Sequence, residues 1–240
     1  MLTLPGRFNG PPHSANGGYA AGRFATLVDG PVRVALRTPP PLDVELDVVE
    51  VDDGVDVVHG DATVVGQVRS TAPVADAVPA TPDLDTARRA MADFPGLHDH
   101  PFATCFVCGP RRPAGDGLEL FPGPVAVGAH VNLHASAWTP APDLGADVVD
   151  EAFVWAALDC PSYFGGSDGR PGVLASLAVT SLAPIPIGEE AVVLGWRREI
   201  DGRKIRAGSA VTSADGQVLA VGEALWIALD EDAMARMLRS

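Results

Sequence analysis

Apolar and polar positions along the chain fall into short segments separated by Gly, Pro, Asp and Asn, the punctuation of a turn-rich β protein. From Leu42 to Val48 the alternation is strict: Leu42, Val44, Leu46 and Val48 against Asp43, Glu45 and Asp47, the period of a half-buried strand. Asp53-Gly54 turns this stretch, LDVELDVVEV, into a hairpin with VDVVHGDATVVGQVRS, and VRVALR from Val32 precedes both. GLELF from Gly117 and VAVGAHVNLHA from Val125 predict two more strands. VLASLAVTSL, EEAVVLGWRREI, KIRAGSAVT and QVLAVGEALWIAL follow, the last two joined by the turn Ser213-Ala214-Asp215-Gly216.

Two segments depart from that period. Residues 16 to 28, NGGYAAGRFATLV, carry apolar and small residues at helical spacing with too few charges for an exposed helix, which predicts a buried helix capped by Asn16. A second helix is predicted over residues 149 to 160. There Val149, Ala152, Phe153, Ala156, Ala157 and Cys160 share one face, Asp147 or Asp150 lies near the start, and Pro161 with Gly165-Gly166 is the stop. Residues 73 to 116 are rich in Pro, Ala and Asp, with one short amphipathic helix around Asp85 to Phe94, and read as a connector.

Both halves thus run helix first, then an antiparallel meander. Asp53-Gly54 precedes Gly60 by the spacing that separates Gly202, in Glu199-Ile200-Asp201-Gly202, from Gly208, and Gly66-Gln67-Val68 echoes Gly216-Gln217-Val218. The expected organisation is an internal duplication of about 100 residues per unit: a first unit over 1–72, the connector over 73–116 and a second unit over 117–240.

Composition narrows the function classes. Of 240 residues, 31 are acidic and 17 basic, a net charge of −14 that lacks the electrostatic footprint of a nucleic-acid binder or of a protein that adsorbs to anionic membranes. With 47% hydrophobic and 20% charged residues the chain can build a core. No apolar run is long enough for a helical span, and MLTLPGRFNGPPHS has no apolar signal core, so a cytoplasmic setting is expected. Three cysteines, two of them in CFVC, read as reduced thiols.

A long, nearly all-apolar helix wrapped by a curved antiparallel sheet resembles the hotdog fold, and two such units make an α+β double hotdog. Asn16-Gly17-Gly18 before a small-residue helix resembles the helix start of the bacterial acyl-CoA thioesterase II family. Arg198 to Trp226, REIDGRKIRAGSAVTSADGQVLAVGEALW, resembles that family's closing hairpins. Cys105 to Leu120, CFVCGPRRPAGDGLEL, is similar to a stretch found in thioesterases of the phenylacetate-pathway type.

The resemblance implies hydrolysis of an acyl-CoA or related acyl thioester, and it implies roles. Asp159 stands where the family places the carboxylate that handles the nucleophilic water, as general base or nucleophile. Ser176 stands at a hydroxyl position on the following strand. Where the family has a last-strand glutamine this chain has Glu223, a second carboxylate. Backbone N–H groups at Gly17 and Gly18 are candidate oxyanion donors, because glycines let a ligand approach a helix N-terminus closely. Asn16, His13, Trp155 and Tyr19 are candidate substrate contacts. In a hotdog pair the site lies between units, so Gly17-Gly18 of one half is expected to face Asp159 of the other, while the pseudo-symmetric positions near Ala25 and Asp150-Glu151 lack both elements.

His98, His100, Cys105 and Cys108 are four zinc-capable residues within the connector. A buried pair of free thiols is the commoner meaning of such a stretch, and no metal or cofactor is assigned. Arg111-Arg112, and Arg203-Lys204 with Arg206, are the basic clusters available to coenzyme A phosphates. The alternative functions are a non-catalytic acyl or acyl-CoA binding protein that keeps the tunnel without the chemistry, and an interaction module organised by a zinc-bound connector. The hydratase branch of the fold is disfavoured because no Asp and His pair has its spacing. A homo-oligomer stays open.

Overall fold

The computed structural model describes residues 2–75, 77–127 and 130–239. Its strands are β1 (Leu2–Thr3), β2 (Val32–Leu36), β3 (Glu45–Val51), β4 (Gly54–His59), β5 (Thr63–Ser70), β6 (Gly123–Val127) and β7 (His130–Trp138), then β8 (Gly172–Ser181), β9 (Ala191–Asp201), β10 (Lys204–Ser213) and β11 (Val218–Ala228). Its α-helices are α1 (Gly17–Ala25), α2 (Leu84–Met91), α3 (Glu151–Gly166) and α4 (Glu231–Arg239). None is long and apolar enough to cross a membrane among the described residues.

All strands join one antiparallel sheet in the order β1-β3-β4-β5-β2-β8-β11-β10-β9-β7-β6. Read outward from its centre, β2-β5-β4-β3-β1 on one side repeats as β8-β11-β10-β9-β7 on the other. In each series the outermost strand, β1 or β7, precedes the helix, α1 or α3, and the other four strands follow it. The halves meet where Arg33, Val34 and Ala35 of β2 pair with Ala178, Leu177 and Ser176 of β8. Register shifts at Val57/Val58, Arg206/Ala207 and Leu225/Trp226 bend the strands around the helices.

The β3–β4 and β9–β10 turns of the sequence echo occupy equivalent places. The second echo does not: Gly66 lies within β5 opposite Leu36 and Val57, whereas Gly216 is in the turn between β10 and β11.

The core lies where α1 and α3 pack on one face of the sheet, from Phe24 and Val34 through Ala156, Leu158 and Ile205, all fully buried. On the opposite face α2 covers a second cluster of Ala87, Leu133, Ala135, Val192, Leu194 and Trp196. β9 is therefore buried on both sides, which explains its unbroken apolar run Ala191-Val192-Val193-Leu194.

Several expected elements shift. β3 starts at Glu45, not Leu42, because Asp43 turns the chain at φ +55° and its carboxylate accepts from Gly6 N–H at 2.8 Å. Only Leu46 of β3 is buried, and Val48 and Val49 are exposed, since β1 covers no more than the first two residues of this edge strand. Gly117–Phe121 forms no strand: Leu118 and Leu120 donate to the carbonyls of Phe106 and Val107, and Glu119 sits at φ +54°. α1 ends at Ala25 instead of residue 28, and the connector helix ends at Met91. Helix α4 follows the last strand and has no counterpart among the sequence-predicted elements.

The largest shift concerns α3, which begins at Glu151 and passes through Pro161 to Gly166. A proline removes one intrahelical hydrogen bond. Close packing outweighs that loss here: a Cβ at Gly195 of β9 would lie 1.7 Å from the Pro161 carbonyl oxygen, and one at Gly165 would lie 2.1 Å from the Gly195 oxygen.

Between the helices the approach is equally tight. A Cβ at Gly18 would fall 2.4 Å from Asp159 Cβ, and one at Gly22 would fall 2.7 Å from Ala152 Cα and 2.8 Å from Trp155 Cβ. Helix propensity would favour Gly22→Ala by about 0.8–1 kcal/mol. Backbone contact at that distance relaxes only if the helices separate, so the expected outcome is a net loss of about 1–3 kcal/mol in urea unfolding. Gly17→Ala should lose less, because its Cβ would meet side-chain atoms of Leu174 and Leu36 at 3.0 and 3.3 Å. A Gly22→Ala midpoint at or above wild type would mean the seam is not close-packed.

Candidate functional site

Asn16 stands where the extended chain enters α1, and its backbone N–H donates to Phe8 O at 2.8 Å. Its side chain does two jobs. Oδ1 accepts from Tyr19 N–H at 2.9 Å as the N-cap, and Nδ2 donates to Asp159 Oδ2 at 2.9 Å. Flipping the amide would lose both bonds, so the network fixes its orientation. Gly18 N–H donates to the same Oδ2 at 2.8 Å.

The structure thus brings Asn16, Gly17, Gly18 and Asp159 together across the α1–α3 seam. Asp159 was expected near the C-terminal end of its helix; because α3 continues past Pro161, it is mid-helix, and its carboxylate faces the positive N-terminus of α1. Asp159 is 2% exposed, and its Oδ1 is buried without a hydrogen-bond partner. Burial pushes the carboxyl up to about 7, against the opposing pull of the Gly18 and Asn16 donors.

Gly18 N–H is occupied by the carboxylate and is not a free oxyanion donor. Gly17 N–H has no acceptor among the described residues, and Gly17 lines a cavity of about 200 Å³. The apolar walls of that cavity come from Leu36, Leu174, Phe102, Phe164, Tyr163 and Trp226. Asp159, Asn16, His100, Ser14, Thr38 and the three cysteines are in its polar part, and exposed Arg37 is a cation in its lining.

Cys105, Cys108 and Cys160 are all buried, with Cys105 and Cys160 Sγ 3.8 Å apart. Hydrogen bonds from the other two thiols hold Cys105 well below the usual thiol range, and burial pushes Cys108 up. His100 Nδ1 accepts from Phe102 N–H at 3.0 Å, so in the neutral ring Nε2 carries the proton toward Cys108 Sγ at 3.2 Å. Burial lowers the His100 pKa, which keeps the ring neutral.

Other sequence candidates lie elsewhere. Glu223 is ion-paired to Arg33 at 3.2 Å and to Arg198 at 3.0 Å, and neither it nor Ser176 lines the cavity. Trp155 Nε1 donates to Glu151 at 2.9 Å, and the Tyr19 ring packs on Phe8 at 4.2 Å; both are core residues. His13 is exposed in a second, shallow cavity beside Pro11 and Pro39. Arg112 is committed to Asn9, Arg7 O, Thr104 O and Asp116, and Arg203 to Ala228 O. His98 is exposed, away from the sulfurs.

Sequence reasoning had Cys160 only as a face-forming helix residue and gave no role to Phe164, Leu174 or Met237 of the lining. Adjacency to Asp159 was the one available signal for Cys160.

No protein-family model matches the chain, and no curated protein sequence does. Among solved structures it is similar to the tesB protein of Mycobacterium avium subspecies paratuberculosis at 11% identity, over 95% of this chain and 91% of that one, with a TM-score of 0.60. It is also similar to an acyl-CoA thioesterase II, TesB2, of Mycobacterium marinum at 11% identity, 90% and 91% coverage and a TM-score of 0.54. A third likeness is to a conserved protein of unknown function with a hot dog fold from Alicyclobacillus acidocaldarius, at 15% identity, 90% and 88% coverage and a TM-score of 0.53. Over this coverage the chain has the α+β double-hotdog fold.

Two substitutions probe the clamp. In Asp159→Asn the amide oxygen takes over the acceptor role of Oδ2 and a buried charge disappears, so the urea midpoint should equal or exceed wild type. Asn16→Ala removes cap and clamp together and should cost about 1–2 kcal/mol. A clear loss of stability in Asp159→Asn would mean that the charge itself holds the helices together.

Proposed function

We propose that this double-hotdog chain hydrolyses a thioester of the acyl-CoA type, with the acyl group in the apolar cavity and Asp159 as general base. One observation carries the reading: a carboxylate buried in a mostly apolar cavity wall, clamped through Oδ2 and left with an unpartnered Oδ1. Stability does not require such a group, and sites of chemistry are where it persists. The name of one structure that shares the fold, an acyl-CoA thioesterase II, supports the same reaction class.

In this mechanism water bound at Asp159 Oδ1 attacks the thioester carbonyl as the carboxylate takes its proton. Gly17 N–H, at the positive end of α1, stabilises the oxyanion that forms. Asn16 and Gly18 hold Oδ2 and so aim Oδ1; they act through the carboxylate and not on the substrate. Collapse of the tetrahedral intermediate expels the thiolate, which takes up the proton. Arg37, in the cavity lining, is the cation available to a phosphate-bearing carrier.

Steady-state hydrolysis across a panel of acyl-CoA chain lengths tests this. Wild type should turn over at least one member, Asp159→Asn should lower kcat on the order of 10² to 10⁴ fold with KM little changed, and Glu223→Gln should keep its turnover. Wild type that binds acyl-CoA yet hydrolyses no member would favour the non-catalytic acyl-binding alternative. Asp159→Asn at the wild-type rate would remove Asp159 as the base.

A further inference from the structure

Three cysteines from two distant segments converge on the cavity. Cys105 and Cys108 come from the loop after α2, and Cys160 comes from the middle of α3. Their sulfurs all lie within 4.8 Å of one another. The Cys105–Cys160 separation of 3.8 Å equals the sulfur–sulfur edge of about 3.8 Å that tetrahedral coordination with Zn–S bonds near 2.3 Å demands.

The surroundings of the sulfurs are equally specific. The loop folds tightly, with Gly109 N–H donating to Cys105 O at 2.9 Å, and a Cβ at Gly109 would fall 2.5 Å from Cys105 N. His100 Nε2–H points to Cys108 Sγ at 3.2 Å, and Asn16 Nδ2 lies 3.8 Å from both Cys105 and Cys160 Sγ. Apart from the other thiols and the nearby Asp159 carboxylate, these neighbours are N–H donors. Such donors support thiolates once a metal has displaced the thiol protons, as around metal–sulfur sites.

Three buried sulfurs at this spacing form a ligand set for one metal ion. We propose that Cys105, Cys108 and Cys160 bind a single thiophilic divalent metal ion, zinc by ligand softness, with the fourth coordination position open to the cavity. His100 is not the fourth ligand. Its Nδ1 accepts a backbone N–H, so its Nε2 bears the proton and supports the Cys108 thiolate from outside the coordination shell. The set differs from the one the connector alone suggests: Cys160 enters, His98, turned to solvent, drops out, and His100 moves outside the coordination shell. Metal binding releases the thiol protons and ties the connector to α3.

The test reads the metal directly and is independent of hydrolysis. Full-length protein, purified reduced and without chelators, is assayed by elemental analysis, then stripped and titrated with Co²⁺ under anaerobic conditions. The expected result is about one zinc per chain and, with cobalt, intense thiolate-to-metal charge-transfer absorption saturating at one equivalent. Cys160→Ser and Cys108→Ser should each weaken binding more than tenfold. His100→Ala should weaken it about 10- to 100-fold without changing the number of thiolate ligands. His98→Ala should bind as wild type. Absence of zinc together with no charge-transfer band on adding cobalt to the reduced wild-type chain overturns the proposal, and this arm does not depend on any variant folding. So does Cys160→Ser that binds like wild type, or a Cys105–Cys160 disulfide that persists in the reduced preparation.

Discussion

Helices α1 and α3 touch through glycine and alanine backbone, and the interior is arranged around that contact. At Gly18 and Gly22 no side chain separates them, so the N-terminus of α1 comes within hydrogen-bonding reach of a side chain on α3. The Asp159 carboxylate is held there by one backbone N–H and one amide. Without the glycine seam it would face apolar neighbours with no donor, a position in which a charge is far more costly. The same closeness draws Asn16 into two roles, so the cap that starts α1 also positions the carboxylate.

Packing of this kind propagates through α3. Gly165, Gly195 and Pro161 bring helix and strand into backbone contact, which keeps the helix continuous through its proline and puts Asp159, Cys160, Tyr163 and Phe164 on one cavity wall. Ser162 then satisfies groups on either side, donating to Asp159 O at 2.6 Å and accepting from Trp226 Nε1 at 2.9 Å. Polar groups in the wall are thereby matched, and Asp159 Oδ1 stands out as an exception.

The frame repeats between the halves, and the interior does not. Where the second unit has Asp159 the first has Ala25, and Glu151, at the start of α3, bonds Trp155 and Ser181 instead of a cap partner across the seam. One half supplies the helix N-terminus and the other the carboxylate. A single chain therefore assembles one candidate site and fills the symmetric position with core. The connector adds Cys105 and Cys108 to that one site only.

By itself the sequence determined the last four strands, the two buried helices, the Asn16 cap and the order of helix then meander that repeats between the halves. Each of these follows from local period, capping and turn chemistry acting within a few residues. GLELF is no strand, and VAVGAHVNLHA spans the two antiparallel strands β6 and β7. The family resemblance pointed to Asp159, a carboxylate that borders the apolar face of its helix beside Trp155, Ala156 and Ala152. Tertiary structure decided the rest. The continuation of α3 through Pro161, the irregular course of Gly117 to Phe121 and the exposure of Val48 depend on what packs against them. The use of Gly18 N–H by Asp159, the pairing of Glu223 with Arg33 and Arg198, and the meeting of Cys160 with Cys105 and Cys108 join residues far apart in the chain. No local spacing encodes such contacts: they exist only once the two helices and the connector are packed on a common sheet.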